Sequence, residues 1–158
     1  MKNSKLSHVD SSGNPSMVNV SEKTATRRTA KAQAIVQVTP EILKHVKGDE
    51  MMTKKGPVFQ TAILAGVMGA KKTSDLIPLC HPLGLEDCQV HIAVEGHNIV
   101  IIATAVLTAK TGVEMEALTA ASIAALTIYD MCKALSHEIV IKEIRLLEKT
   151  GGKKDFRM

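Results

Sequence analysis

The sequence predicts an α+β fold, an antiparallel sheet with helices packed on one face, and a ferredoxin-like plait as its form. Three observations carry that expectation. A period-two apolar pattern runs over residues 26–38, and two further strand patterns flank a Gly-His-Asn turn at 96–98. A long stretch rich in Ala, Leu and Met, residues 111–134, reads as a helix and is followed by a closing strand at 139–149.

Taken in order, residues 1–16 are polar with Gly and Pro and are expected to form a flexible N-terminal arm; residues 17–150 form a single domain, and 151–158 a flexible basic tail. After a short extended segment at 17–20, Ala30, Ala32, Ala34, Val36 and Val38 share one strand face, while Arg27, Thr29, Lys31, Gln33 and Gln37 take the other. Arg28 falls on the apolar side, where an arginine is either paired to a carboxylate or reaching for a ligand anion. Thr39-Pro40-Glu41 combines an N-cap, a proline at the first helical position and an acid in the first turn, so a short helix begins there. A loop is expected over 49–57, carrying Lys54 and Lys55, and a second helix over 58–70. In that helix Gly66 and Gly69 would allow another backbone to come close.

Residues 77–83, IPLCHPL, are too apolar for an ordinary solvent loop. Pro78 and Pro82 nevertheless prevent continuous helix or sheet pairing there. The expected result is a stiff, covered loop presenting Cys80 and His81, although the prolines also suit a simple change of direction with His81 bonded locally. In the long helix, Thr111 and Glu114 have the spacing of a capping box. Apolar residues on more than one face, among them Met115, Leu118, Ala121, Ala124 and Ile128, predict that this helix is enclosed.

Composition narrows the possible chemistry. At 158 residues the chain can fill one core, and with 2% aromatic residues that core must be aliphatic. The same shortage removes the stacking platforms on which single-stranded nucleic acid binds. A net charge of +4 suits an anionic small molecule and is too weak to argue for DNA. Three cysteines, none in C-x-x-C, fit reduced thiols and a cytoplasmic location, and no apolar run reaches the length of a membrane span.

Asp130 and Lys133 break local rules. An anion in the last turns of a helix opposes the dipole, and its proximity to Ile123 and Leu126 predicts poor solvation. Lys133 lies within side-chain reach, so the two form either a buried ion pair or an acid/base couple tuned by burial. Metal binding is not expected: Cys88 and His91 are three apart on a strand and face opposite ways, and Cys80-His81 lacks a paired ligand spacing. Neither standard Gly-rich nucleotide loop is present. The cations Arg28, Lys55, Lys72, Lys133, Lys149 and Lys153 are scattered, with Lys72 and Lys153 read as solvated. Glu114 and Asp130 are sixteen positions apart, roughly 24 Å at about 1.5 Å per residue. Either only one end of the helix is functional, or a site is shared between chains that supply opposite ends.

The segments KKTSDLIPLCHPL (71–83) and TGVEMEALTAASIAALTIYDMCKA (111–134) resemble the signatures of cyclic pyranopterin monophosphate synthase, the molybdenum cofactor biosynthesis protein C family. MVNVS (17–21), Lys55-Gly56 and RLLEKTGG (145–152) match as well, so the resemblance covers nearly the whole chain. It implies a ferredoxin-like lyase, a homohexamer built as a trimer of dimers with active sites between subunits. The implied substrate is (8S)-3′,8-cyclo-7,8-dihydroguanosine 5′-triphosphate, converted to cyclic pyranopterin monophosphate with release of pyrophosphate. By motif, Asp130, Lys133, Lys55 and Lys149 match the catalytic residues. Leu79, Cys80, His81, Glu114, Met115, Glu116 and Arg28 match the substrate-binding set. The implied roles are acid/base steps for Asp130 and Lys133, phosphate contacts for Lys55, Lys149 and Arg28, and base contacts for Glu116 and His81. No resident cofactor or metal is implied, although magnesium can accompany the triphosphate. Pro57 stands where the family often carries an acid, which makes the loop stiffer. The competing class is a non-catalytic ferredoxin-like module that senses a ligand or binds RNA. It leaves Asp130, Arg28 and the IPLCHPL loop without a purpose.

Overall fold

A computed structural model describes residues 8–158. The period-two segment forms β1 (Thr26–Gln37), whose Ala30, Ala32, Ala34 and Val36 are wholly buried. Thr39 caps the single-turn helix α1 (Pro40–Leu43), its hydroxyl accepting the Ile42 N–H as the Thr-Pro-Glu signature predicts. The chain then departs from the expected loop. It forms a small antiparallel sheet of β2 (Val46–Lys47), β3 (Glu50–Thr53) and β4 (Gly56–Pro57), anchored by the buried Met51. Gly48 and Gly56 both adopt positive φ, which is what lets such short strands reverse direction.

Helix α2 (Val58–Lys71) is followed by the one-turn α3 (Thr73–Leu76), an element without a periodic signal of its own. The prolines keep 77–83 irregular, as expected. Strands β5 (Asp87–Glu95) and β6 (Asn98–Ala109) form a hairpin around Gly96-His97, with Gly96 at φ 59°. Helix α4 (Glu114–Cys132), β7 (Val140–Thr150) and β8 (Phe156–Arg157) complete the chain. Residues 151–158, expected as a loose tail, turn at Gly151 and return along β7, pairing Lys149 with Phe156. Of the expected N-terminal arm, 1–7 lie outside the described residues; beyond them Val9 and Pro15 form an isolated bridge.

The main sheet has the order β5-β6-β1-β7-β8, every neighbour antiparallel. With α2 and α4 as the crossovers, β1-α2-β5-β6-α4-β7 is the split βαβ pattern of the ferredoxin-like plait, β1 lying at the centre. Helix α4 packs over β1, β6 and β7, and α2 packs over β5 and against α4. The contact surface consists largely of alanines: Ala30, Ala32 and Ala34 on β1, Ala103 and Ala105 on β6, and Ala117, Ala120, Ala121, Ala124 and Ala125 on α4. Alanine brings helix and sheet together without losing side-chain rotamer entropy, and it holds the two ends of α4 at fixed positions.

The glycines of α2 perform the predicted task. A methyl group on Gly66 would lie 3.0 Å from the Ala120 carbonyl oxygen, and one on Gly69 would lie 2.7 Å from Ile123 Cγ1. Gly69→Ala is therefore expected to destabilise the fold by about 2 kcal/mol despite its gain in helix propensity. Thermal unfolding followed by circular dichroism should show Tm lowered by roughly 5 °C.

Two expectations for α4 need correction. The capping box does not form: Val113 occupies the N-cap and no side chain bonds there, because Glu114 is drawn away to Lys149. Nor is the helix enclosed all round in a single chain. Leu126 is 55% exposed, and Leu64 and Met68 of α2 are also exposed on the outer side of the helical layer.

Candidate functional site

The candidate residues fall into two groups at opposite ends of α4. At the C-terminal end Asp130 sits between two ammonium groups. Lys133 Nζ donates to Asp130 Oδ1 at 2.8 Å, and Lys55 Nζ donates to Oδ2 at 2.8 Å and to the Asp130 carbonyl oxygen at 2.9 Å. Lys133 arrives by its i,i+3 position on the same helical face. Lys55 arrives from the turn between β3 and β4, seventy-five positions away. Beside this triad lies a cleft of about 460 Å³ between the small sheet and the end of α4, with Met52, Met131 and Leu135 in its wall.

The electrostatics of the triad differ from the sequence expectation. Asp130 is 55% exposed, and what desolvation it suffers is outweighed by its two partners. Hydrogen bonds from Lys133 and then Lys55 hold its carboxyl down at about 2. In return Asp130 raises the Lys133 pKa, whereas a burial-tuned amine would have had a lowered one. The pair is charged and open on one side.

At the N-terminal end, Glu114 Oε1 accepts a hydrogen bond from Lys149 Nζ of β7 at 2.9 Å. Burial alone would push the Glu114 carboxyl up. The bond and charge of Lys149, with the nearby Arg28, bring it below the ordinary carboxylate value. The Glu114 carboxylate folds back over Gly112, so a side chain at that position would displace it. Arg28 points along the core side of β1 toward the turn at Gly152, and its Nε is buried without a partner among the described residues. Arg28 makes no ion pair with a carboxylate among the described residues, and a buried donor left unmatched is costly.

A cleft of about 430 Å³ opens at this end, lined by Lys23, Arg28, Lys110, Lys149, Lys153 and Lys154, with Glu114 the one acid among its lining residues. Lys110 Nζ also donates to the Ser21 carbonyl oxygen at 2.7 Å, which ties the N-terminal segment to its rim. Sequence reasoning missed Lys23, Lys110 and Lys154 and set Lys153 aside as solvated. The missed signal was Gly151-Gly152 directly after a strand, which turns the chain so that β8 can pair and carries Lys153 into the cleft. Lys72, also set aside, pairs with Asp75 on the surface.

On the first turn of α4, Glu116 is only 3% exposed. Burial pushes its carboxyl up, and the charge of Glu114 adds to the effect. The 77–83 loop lies close enough for Glu116 to act on the Cys80 thiol, whose pKa burial has already raised. Leu79 is half-buried in that loop, and Met115 is exposed beside Glu116 on the first turn of α4. His81 is half-buried, its Nε2 2.8 Å from the Val18 carbonyl oxygen. The histidine thus holds the 17–20 segment over the loop. Lys55, expected on the phosphates alongside Lys149 and Arg28, stands with Asp130 instead.

Cys88 lies on the core side of β5 and His91 on the exposed side. Among the described residues no three His, Cys, Asp or Glu side chains converge. No helix of the described residues is long and apolar enough to cross a membrane.

Comparison with known proteins gives a match to the MoaC family over residues 17–152. The chain is 51% identical over 155 residues to a molybdenum cofactor biosynthesis bifunctional protein of Synechocystis sp., covering 95% of this chain and 45% of that one. It is 44% identical over 171 residues to molybdenum cofactor biosynthesis protein 1 of Dictyostelium discoideum, covering 97% of this chain and 27% of that one. The chain therefore spans less than half the length of either relative. The matched region contains both ends of α4 and every candidate residue named from the sequence.

Proposed function

The chain belongs to the MoaC family, and on that premise we propose that it acts in molybdenum cofactor biosynthesis as a lyase. In this reading it converts the 3′,8-cyclised dihydro-GTP to cyclic pyranopterin monophosphate and pyrophosphate. The observation that carries the reading is the division of charge along α4, with a polycationic cleft at one end and a carboxylate between two lysines at the other.

The division suits the chemistry. A triphosphate brings several negative charges, which six cationic side chains can hold while a sugar hydroxyl attacks the α-phosphorus and pyrophosphate departs. Arg28 meets that charge with a buried Nε that has no partner among the described residues. Ring opening and rebuilding need protons moved at neutral pH. Lys133 is charged there and can donate one, while Asp130 remains anionic and orients both ammonium groups. Glu116, a buried carboxylate, suits the N–H groups of the base, from which it can accept hydrogen bonds, and burial pushes its carboxyl up so that it loses this charge sooner than an exposed acid as pH falls. Lys55 belongs to the proton-transfer end in this scheme.

One chain cannot bring these ends to one small molecule, because α4 holds them roughly 24 Å apart. The site is therefore shared, the cleft of one chain facing the triad of another, in a homo-oligomer for which a hexamer is expected. Exposed Leu64, Met68 and Leu126 on the helical layer supply an apolar surface for such contacts. Incubation with the cyclised GTP tests the reaction. Stoichiometric pyrophosphate with formation of the cyclic phosphate is expected, and a catalytically inert oligomer would overturn the proposal. Arg28→Ala should weaken product pyrophosphate binding at least about tenfold, measured by calorimetry.

A further inference from the structure

Helix α2 begins without a cap of its own. Pro57 occupies the N-cap position, and its side chain accepts no hydrogen bond. The first turn is nevertheless satisfied. Glu50, at the start of β3, accepts the Phe59 N–H on Oε1 at 2.7 Å and the Gln60 N–H on Oε2 at 3.1 Å. Oε1 also accepts the N–H of Met51 at 2.7 Å. One carboxylate thus closes a ring of backbone around residues 51–59, and the tip of that ring carries Lys55.

Within the tip the Thr53 hydroxyl accepts the Lys55 N–H at 3.2 Å and donates to the Gly56 carbonyl oxygen at 3.5 Å, bonds that shape the turn but do not tie it to α2. Strands β3 and β4 share two residue pairs, Met52 with Pro57 and Thr53 with Gly56, and the proline has no N–H to contribute. Gly56 adds a flexible joint at φ 107°. Lys55 must still reach Asp130 across to another element. We infer that Glu50 is a positioning residue for Lys55, a carboxylate that caps α2 from a neighbouring strand and so holds the Lys55 turn against the end of α4. This deepens the proposed function, because it assigns a support to one member of the triad, but its geometry stands without reference to the reaction.

Capping and positioning can be separated. In Glu50→Ala both are lost. In Glu50→Ala/Pro57→Asp a local aspartate restores the cap at the N-cap position, while the tie from β3 remains cut. The Lys55 and Lys133 ammonium groups are followed by nitrogen-correlated NMR in the full chain. In the native chain both donate to Asp130, Lys55 at 2.8 Å and Lys133 at 2.8 Å. In the double variant the Lys55 protons are expected to exchange about tenfold faster, while those of Lys133, paired within α4, do not change. Loss of global stability would affect both lysines alike. Should Glu50→Ala fail to fold, Glu50→Gln keeps the volume and loses one acceptor, and it carries the same comparison.

With the cyclised GTP, kcat of the double variant should fall at least about tenfold at unchanged KM, since the phosphate cleft lies at the far end of α4. An unaltered Lys55 signal in the double variant overturns the assignment. A native chain inert toward this substrate would sink the proposed reaction and leave the NMR comparison to decide the role of Glu50 alone.

Discussion

Mixing an Asp130→Ala chain with a Glu114→Ala chain is expected to restore about one quarter of native turnover after subunit exchange, though neither variant turns over alone. The fraction follows from geometry. If each site takes the Asp130 end of α4 from one chain and the Glu114 end from its neighbour, random pairing leaves one site in four with both ends intact. The two carboxylates sit on one rigid helix packed on alanines, so no hinge within a chain can bring them together. Exchange is confirmed by mass spectrometry of differently labelled chains. Recovery absent from a fully exchanged mixture would mean that each site uses one end of the helix only, and the shared-site proposal would fail.

Asp130→Asn should lower turnover by about a thousandfold while Tm moves by no more than about 2 °C. The small stability effect follows from the exposure of all three side chains in the triad. The sign of any pH effect is set by the lowered pKa. Stability from the ion pair is present above the ordinary aspartate value of 3.8 and is lost as pH falls through about 2. Asp130 therefore stays charged throughout the neutral range, and the acid limb of the rate profile must belong to another group. Glu116, raised by burial, is that group in the proposed scheme, so Glu116→Gln should remove the limb. An Asp130→Asn chain with native Tm and near-native turnover would take the triad out of the mechanism.

How much of this could be read in advance differs from element to element. The alternation Ala30, Ala32, Ala34, Val36 marks a half-buried strand because side-chain direction repeats every two residues, and the observed burial follows it. The Thr-Pro-Glu start of α1 and the close contacts of Gly66 and Gly69 were legible for the same local reason. The small sheet at 46–57 was not, since strands of two to four residues have no usable period, and the Glu50 carboxylate that ties them to α2 finds its partners nine and ten positions away. The Glu114 capping box misled because Lys149, distant in sequence, competes for the same carboxylate.

What the chain order determined on its own is the plait and the roughly 24 Å between Glu114 and Asp130, because helix rise and strand alternation are properties of the local backbone. Only the tertiary structure decided that Lys55 joins Asp130, that Lys23, Lys110, Lys153 and Lys154 gather around Arg28, and that Asp130 is open to solvent in a single chain. Those facts depend on which distant segments the packed sheet and helices bring side by side, and charge, unlike periodicity, leaves no mark in the sequence of where its partner will be.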